Sequence, residues 1–132
     1  YVPARNTVFL SLALGWAEVL DADAIFIGVN AGDYSGYPDC RKEFLVSAEE
    51  TISLALGESF TIHAPLLNLT KAQIWALAEE FGETERIKQQ THTCYLGDRN
   101  VLHDWGYGCN QCPACELRRI GWEQFQKTRQ NN

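Results

Sequence analysis

Methionine is missing from all 132 residues, and the chain opens on Tyr1. Together these lead us to expect the C-terminal part of a longer protein. Nowhere do roughly 18 apolar residues run together, so no membrane-spanning helix is indicated. Basic residues are scarce: 11 Lys and Arg stand against 17 Asp and Glu, a formal charge of −6. A broad nucleic-acid footprint needs clustered Lys and Arg, so direct nucleic-acid binding is not expected. There is no segment resembling a signal peptide, no internal repeat and no low-complexity tract. The five cysteines are therefore expected to be reduced and the protein cytoplasmic. With 45% hydrophobic residues, the chain can still bury a real core.

Four of the five cysteines fall in one stretch, Cys94, Cys109, Cys112 and Cys115, the last three reading Cys-Asn-Gln-Cys-Pro-Ala-Cys. Fourteen residues separate the first from the second, then two and two. Two-residue gaps let neighbouring thiolates converge on one ion, and a loop can deliver the fourth. Four thiolates around Zn²⁺ make a closed tetrahedral site with no position left for a substrate, so such a zinc is structural. An iron–sulfur cluster is the rival, since its ligand sets also use Cys-x2-Cys-x2-Cys with a distant cysteine. Disulfides are disfavoured, because Cys40 would be left over. Cys40 is read as a small structural hydrophobe. His92 and His103 flank the metal segment and could replace a cysteine, but four thiolates suffice.

Helical and strand patterns alternate along the rest. Thr7 to Leu20 is almost wholly apolar and too long for a usual strand, which suits a buried helix. Ala24 to Val29 is a short continuous apolar run, the signature of a parallel strand covered on both faces. Phe44, Ala48, Thr51, Ile52 and Ala55 predict a helix over 41–56 that ends near Gly57. Phe60 to Ala64 alternates like a second strand and stops at Pro65. Thr70-Lys71-Ala72-Gln73 reads as a capping box, followed by Ile74, Leu77, Ala78 and Phe81 on one face. A last helix should run from Pro113 to about Lys127. His63 reads as a packed or capping residue, Trp16, Trp105 and Trp122 look like packing residues, and Trp75 lies beyond the Ile74 stripe.

This order implies an open α/β sheet with at least one neighbour missing, and ligands in such sheets sit beyond the carboxyl ends of the strands. The segment leaving the first strand runs from Gly28 to Arg41 and carries two carboxylates, two phenols, a hydroxyl and an Arg among glycines. Turn chemistry alone explains Gly, Asp, Ser and Pro. The two Tyr and the Arg, at a strand's exit, argue for a binding loop.

Here the residues carry a resemblance. Val2-Pro3-Ala4-Arg5-Asn6 resembles a Val-Pro-Gly-Arg-Asn motif, and Gly28 to Arg41 resembles Gly-Val-Asn-x-x-Asp-x-Ser-Gly-Tyr-Pro-Asp-Cys-Arg. With Thr91-His92-Thr93-Cys94-Tyr95 and the cysteine triad, the whole chain is similar to the 7-cyano-7-deazaguanine synthases of queuosine biosynthesis, members of the PP-loop ATP pyrophosphatases. The resemblance implies a Rossmann-like α/β fold with a parallel sheet, here only its C-terminal part, with residues 1–88 in that domain. Residues 89–132 would form the four-cysteine zinc segment and the C-terminal helix. The implied activity is that of an ATP-dependent ligase converting 7-carboxy-7-deazaguanine and ammonia to the 7-cyano product. ATP is then a co-substrate, Zn²⁺ a structural ion, and a homodimer a candidate assembly.

Site residues follow from the same resemblance. Arg5, Asn6 and Lys71 are candidates for ATP, although Arg5 and Asn6 could equally meet the substrate, and a capping role before the first helix accounts for Asn6 as well. Lys71 ends a Pro-Leu-x4-Lys pattern from Pro65, and a cation at a helix start opposes the helix dipole unless it has a purpose. Asp33, Ser35, Tyr37, Asp39 and Arg41 are candidates to hold the deazaguanine, whose edge offers N–H donors to a carboxylate and a carbonyl to an Arg. Cys94, Cys109, Cys112 and Cys115 are the metal ligands, and Arg118 or Arg119 would offset their charge. No catalytic residue is assigned. The sequence departs from the family in three ways: it lacks the Ser-Gly-Gly-x-Asp-Ser phosphate loop, Ala4 replaces a Gly, and the gap from Cys94 to Cys109 is longer than usual. Without the phosphate loop this chain alone is expected to be inactive. Two other classes stay open: a tRNA-modifying PP-loop pyrophosphatase and a non-catalytic zinc assembly module.

Overall fold

The computed structural model describes residues 2–30 and 37–130. In chain order the elements are α1 (Arg5–Val19), β1 (Ala24–Phe26), a 3-10 turn (Pro38–Cys40), α2 (Lys42–Leu56) and β2 (Thr61–His63). These are followed by α3 (Lys71–Glu80), α4 (Thr84–Gln90), β3 (Leu102–His103), β4 (Gly106–Tyr107) and α5 (Pro113–Gln130). The chain divides into two compact units, Tyr1–Asn68 and Leu69–Asn132. Within the second unit α3 packs against α5.

The first unit is built on two parallel strands, with Ala24 opposite Thr61, Ile25 opposite Ile62 and Phe26 opposite His63. Parallel strands need a crossover, and α2 supplies it. Leu45 and Ile52 on one side of α2 join Leu10, Ala17, Val29, Phe60, Ile62 and Leu67 in the core. Polar bonds fix the seam: Glu49 Oε2 accepts from Ile62 N–H at 2.7 Å, and Ser53 Oγ accepts from Phe60 N–H at 3.1 Å. The helix ends where expected, at Gly57, which adopts the left-handed φ of 75° that glycine takes without steric cost.

Two expectations fail here, for one reason. β1 was expected to be covered on both faces and α1 to be buried. Among the described residues, the sheet is covered only on the Ile25–Ile62 face. Phe26 is 74% exposed and stacks on His63 at 4.7 Å. α1 is apolar all round, so one side packs and the other cannot: Trp16 is 68% and Val19 81% exposed. A helix without a polar face is one whose every side calls for cover.

In the second unit the capping box forms as read. Thr70 Oγ1 accepts from Gln73 N–H at 3.2 Å, and Gln73 Oε1 accepts from Thr70 N–H at 2.8 Å. The buried face of α3 is Trp75 and Ala78, however, and Phe81 is exposed. Trp75 wins burial because it meets Trp122 edge-on at 4.9 Å, which a smaller residue on the Ile74 stripe could not do. Gly121 lets the helices approach: a Cβ there would collide with the Lys71 backbone and Cβ.

Ala4, which starts α1, sits in the left-handed region at φ 55° and ψ 24°. An L-residue there costs roughly 1–2 kcal/mol, partly offset because glycine loses roughly 0.5–1 kcal/mol more backbone entropy on folding. Ala4→Gly should therefore stabilise the first unit by about 0.5 kcal/mol. Denaturant unfolding reads this out, and a lowered midpoint would mean that Ala4 is relaxed in solution.

Candidate metal centre

Each cysteine is delivered by a different local device. Cys94 follows the short α4 through an extended segment. Cys109 and Cys112 flank a tight turn in which Asn110 takes a positive φ of 55°, a conformation that Asn tolerates. Cys112 N–H then donates to Cys109 Sγ at 3.3 Å, and Cys115 N–H donates to Cys112 Sγ at 3.5 Å. Pro113 opens α5, where its missing N–H costs nothing, and places Cys115 in the first turn. A helix N-terminus favours negative charge, which suits a thiolate there. The long gap between Cys94 and Cys109 is taken up by the β3–β4 hairpin, in which Leu102 pairs with Tyr107 and His103 with Gly106.

The result is one cluster. All four sulfurs lie within 4.8 Å of one another, and Cys109 and Cys115 are 4.0 Å apart. Sulfurs bound at roughly 2.3 Å to a tetrahedral zinc are roughly 3.8 Å apart, so the cluster matches a single ion in scale. Cys115 is fully buried and Cys94 nearly so. No histidine enters the set found among the described residues. His92 Nε2 meets the Asp98 carbonyl at 2.9 Å, and His103 Nε2 meets the Gly108 carbonyl at 3.0 Å while its ring stacks on Trp105.

The thiols titrate unevenly. Burial opposes ionisation of Cys94, but hydrogen bonds with the backbone of Cys109, Asp98 and Leu96 outweigh it and lower its pKa to about 6. Burial opposes Cys112 as well, and the backbone of Cys115 and Tyr95 again brings it below the ordinary thiol range. Cys115 goes the other way: burial and the neighbouring Cys112 thiol push it up to about 12. The innermost thiol is thus set against ionisation while Cys94 and Cys112 are eased toward it. A divalent ion at the centre removes that conflict.

The wall around the sulfurs is tight. A Cβ at Gly108 would lie 2.6 Å from Cys115 Sγ and 2.9 Å from the Trp105 ring. Arg118, only 7% exposed, donates from Nε to the Trp105 carbonyl at 2.8 Å and from Nη2 to the Ile87 carbonyl at 3.0 Å. It thereby ties α4 and the hairpin to α5. Burial holds its pKa below the ordinary guanidinium value, and the Cys115 sulfur, when charged, opposes that only in part. Arg119 instead pairs with Glu123 on the surface at 2.6 Å, so of the two arginines Arg118 is the one that feels the charge of Cys115.

The remaining candidates lie mostly in the first unit. Asn6 is buried and hydrogen-bonded to Asp39 and Cys40. Arg5 and Arg41 are exposed, and Tyr37 is half-buried. Asp33 and Ser35 lie outside the described residues. Lys71 opens α3 in the second unit, half-buried against Gly121. Sequence reasoning missed Gly108 and the hairpin. Trp105-Gly106-Tyr107-Gly108-Cys109 was their one signal, glycines set between aromatics beside a ligand.

The family model described as "Queuosine biosynthesis protein QueC" matches residues 1–126. Curated relatives include proteins named 7-cyano-7-deazaguanine synthase. That of Helicobacter pylori strain HPAG1 is 44% identical over 126 residues, covering 96% of this chain and 55% of the relative. The Zymomonas mobilis protein is 47% identical over 132 residues, covering 98% and 52%. The Alkalilimnicola ehrlichii protein is 48% identical over 127 residues, covering 94% and 53%. The chain thus spans about half the length of the curated relatives it matches.

Gly108→Ala should weaken metal retention by roughly tenfold or more, because overpacking against Cys115 costs about 1–3 kcal/mol. Competition with a chelator measures it. Cys112→Ser should lose the metal and unfold the second unit, whereas Cys40→Ser should leave metal content unchanged. Full retention in Gly108→Ala would show that the wall is not packed against the sulfur.

Proposed function

The chain belongs to the QueC family of queuosine biosynthesis proteins, and on that premise we propose that the protein it comes from is a 7-cyano-7-deazaguanine synthase. The match over residues 1–126 carries this reading, because it takes in both the loop leaving β1 and all four cysteines. The proposed reaction begins with attack of the 7-carboxylate of 7-carboxy-7-deazaguanine on the α-phosphate of ATP, releasing pyrophosphate. Ammonia displaces AMP from the resulting adenylate to give the amide. The amide oxygen is adenylated in turn, and loss of AMP and the amide protons leaves the nitrile. The fold proposed for this chemistry is a PP-loop α/β sheet, of which β1 and β2 are a part.

Within the chain, the roles divide by chemistry. Arg5 and Lys71 are the cations proposed to meet the phosphates. Tyr37 and Arg41, with Asp33 and Ser35, are proposed for the deazaguanine edge. The metal is proposed to be Zn²⁺, which four thiolates hold as a closed structural ion that shapes the fold and takes no part in the reaction. The 132-residue chain has no Ser-Gly-Gly-x-Asp-Ser loop and is proposed to be inactive alone. A cytoplasmic location is part of the same proposal. No helix among the described residues is long and apolar enough to cross a membrane.

Full-length protein given ATP, ammonium and 7-carboxy-7-deazaguanine should release AMP and pyrophosphate and accumulate the nitrile. Turnover of ATP only in the presence of tRNA would replace this reading with the tRNA-modifying one. Lys71→Ala should slow adenylate formation roughly a hundredfold with little change in thermal stability, and an unchanged rate would reject its role. Purified protein should be colourless with about one zinc per chain. A brown, iron-containing sample would overturn the zinc assignment.

A further inference from the structure

α1 begins without a cap of its own: Ala4 has no side-chain acceptor, and no side-chain cap bond forms there. The first turn of a helix nevertheless carries N–H groups that need partners. One partner comes from 33 residues away, where Asp39 Oδ2 accepts from Asn6 N–H at 3.1 Å. A carboxylate at that end also suits the helix dipole. Asn6 answers in kind. Its side-chain amide donates to the Asp39 carbonyl at 2.9 Å and to Cys40 Sγ at 3.3 Å, which accounts for both of its hydrogens. With 7% of its surface exposed, Asn6 faces the 3-10 turn rather than solvent.

The turn held in this way leads directly into α2. Arg41 N–H donates to the Pro38 carbonyl at 3.3 Å, and the Arg41 carbonyl accepts from Leu45 N–H at 3.2 Å. Tyr37 and Arg41 are therefore the two ends of a short rigid piece of backbone, and the Asn6–Asp39 bonds fasten its middle to α1. We propose that Asn6 and Asp39 are a positioning pair, which aims Tyr37 and Arg41 at the nucleobase, and that neither touches ATP or the deazaguanine. This rests on the synthase reading above for the identity of the substrate, and on the hydrogen bonds alone for the pair itself.

Steady-state kinetics of the full-length enzyme test the proposal. Asn6→Ala and Asp39→Ala should each raise KM for 7-carboxy-7-deazaguanine roughly tenfold or more, as misplacing a contact group does, with KM for ATP essentially unchanged. Asp39→Asn keeps an acceptor for the helix N–H and should stay near wild type. A raised KM for ATP in Asn6→Ala would make Asn6 a nucleotide contact and overturn the proposal. So would an Asp39→Asn variant as damaged as Asp39→Ala, since that would put the carboxylate on the substrate. Hydrogen exchange gives a readout independent of activity: the Asn6 amide should be protected in wild type and Asp39→Asn and exposed in Asp39→Ala. Fast exchange in wild type would dissolve the pair whatever the enzyme acts on. Protection without turnover of the deazaguanine would instead fault the synthase reading and leave the pair standing.

Discussion

Four sulfurs within 4.8 Å of one another cannot all be charged unless a cation lies between them. Much of the second unit is arranged around that constraint. The positive φ at Asn110 bends the chain so that Cys109 and Cys112 face one way, and Pro113 starts a helix whose N-terminus favours a thiolate. The hairpin folds the long gap back on itself. Arg118, three residues beyond Cys115 on α5, binds two carbonyls, so the fold supplies one positive charge of its own that acts on Cys115. A structural metal in such a setting contributes to folding directly, because the unfolded chain offers no preformed site.

The first unit meets a different demand. Parallel strands are stable where both faces are covered, and α2 with one side of α1 covers one face. Phe26, Trp16 and Val19 mark what this chain leaves bare among its described residues. The polar side of the unit is better closed: the Asn6–Asp39 bonds, the Glu49–Ile62 bond and the Ser53–Phe60 bond each join an α-helix to a segment that follows it in sequence. Apolar exposure and polar satisfaction thus occur side by side.

What could be read from the sequence depended on how far apart the interacting residues lie. Thr70 and Gln73 are three residues apart, so their capping box was legible, as were the Gly57 stop and the start at Pro113. Cysteine spacing revealed the cluster because two-residue gaps constrain geometry locally. The bonds of Asn6 to Asp39 and of Arg118 to Ile87 span 33 and 31 residues, and no local pattern encodes them. Two-residue strands such as β3 and β4 are too short to show any period. α1 was misread because periodicity reports which sides of a helix call for cover, not whether the cover belongs to the same stretch of chain. Trp75 was set aside on helical spacing alone, although a large ring finds the core by reaching Trp122.

The distribution of tryptophans gives the two units separate optical signatures. Trp75, Trp105 and Trp122 all belong to the unit that holds the cysteines, and Trp105 packs against the same Gly108 that abuts Cys115. Trp16 is the sole indole of the first unit and stands largely in solvent. Intrinsic fluorescence is therefore a composite of one water-exposed, red-emitting indole and three in a packed environment whose emission follows the state of the sulfur cluster. Loosening of the metal-binding unit can be watched in the blue part of that spectrum, while the red part reports the surroundings of Trp16 on α1.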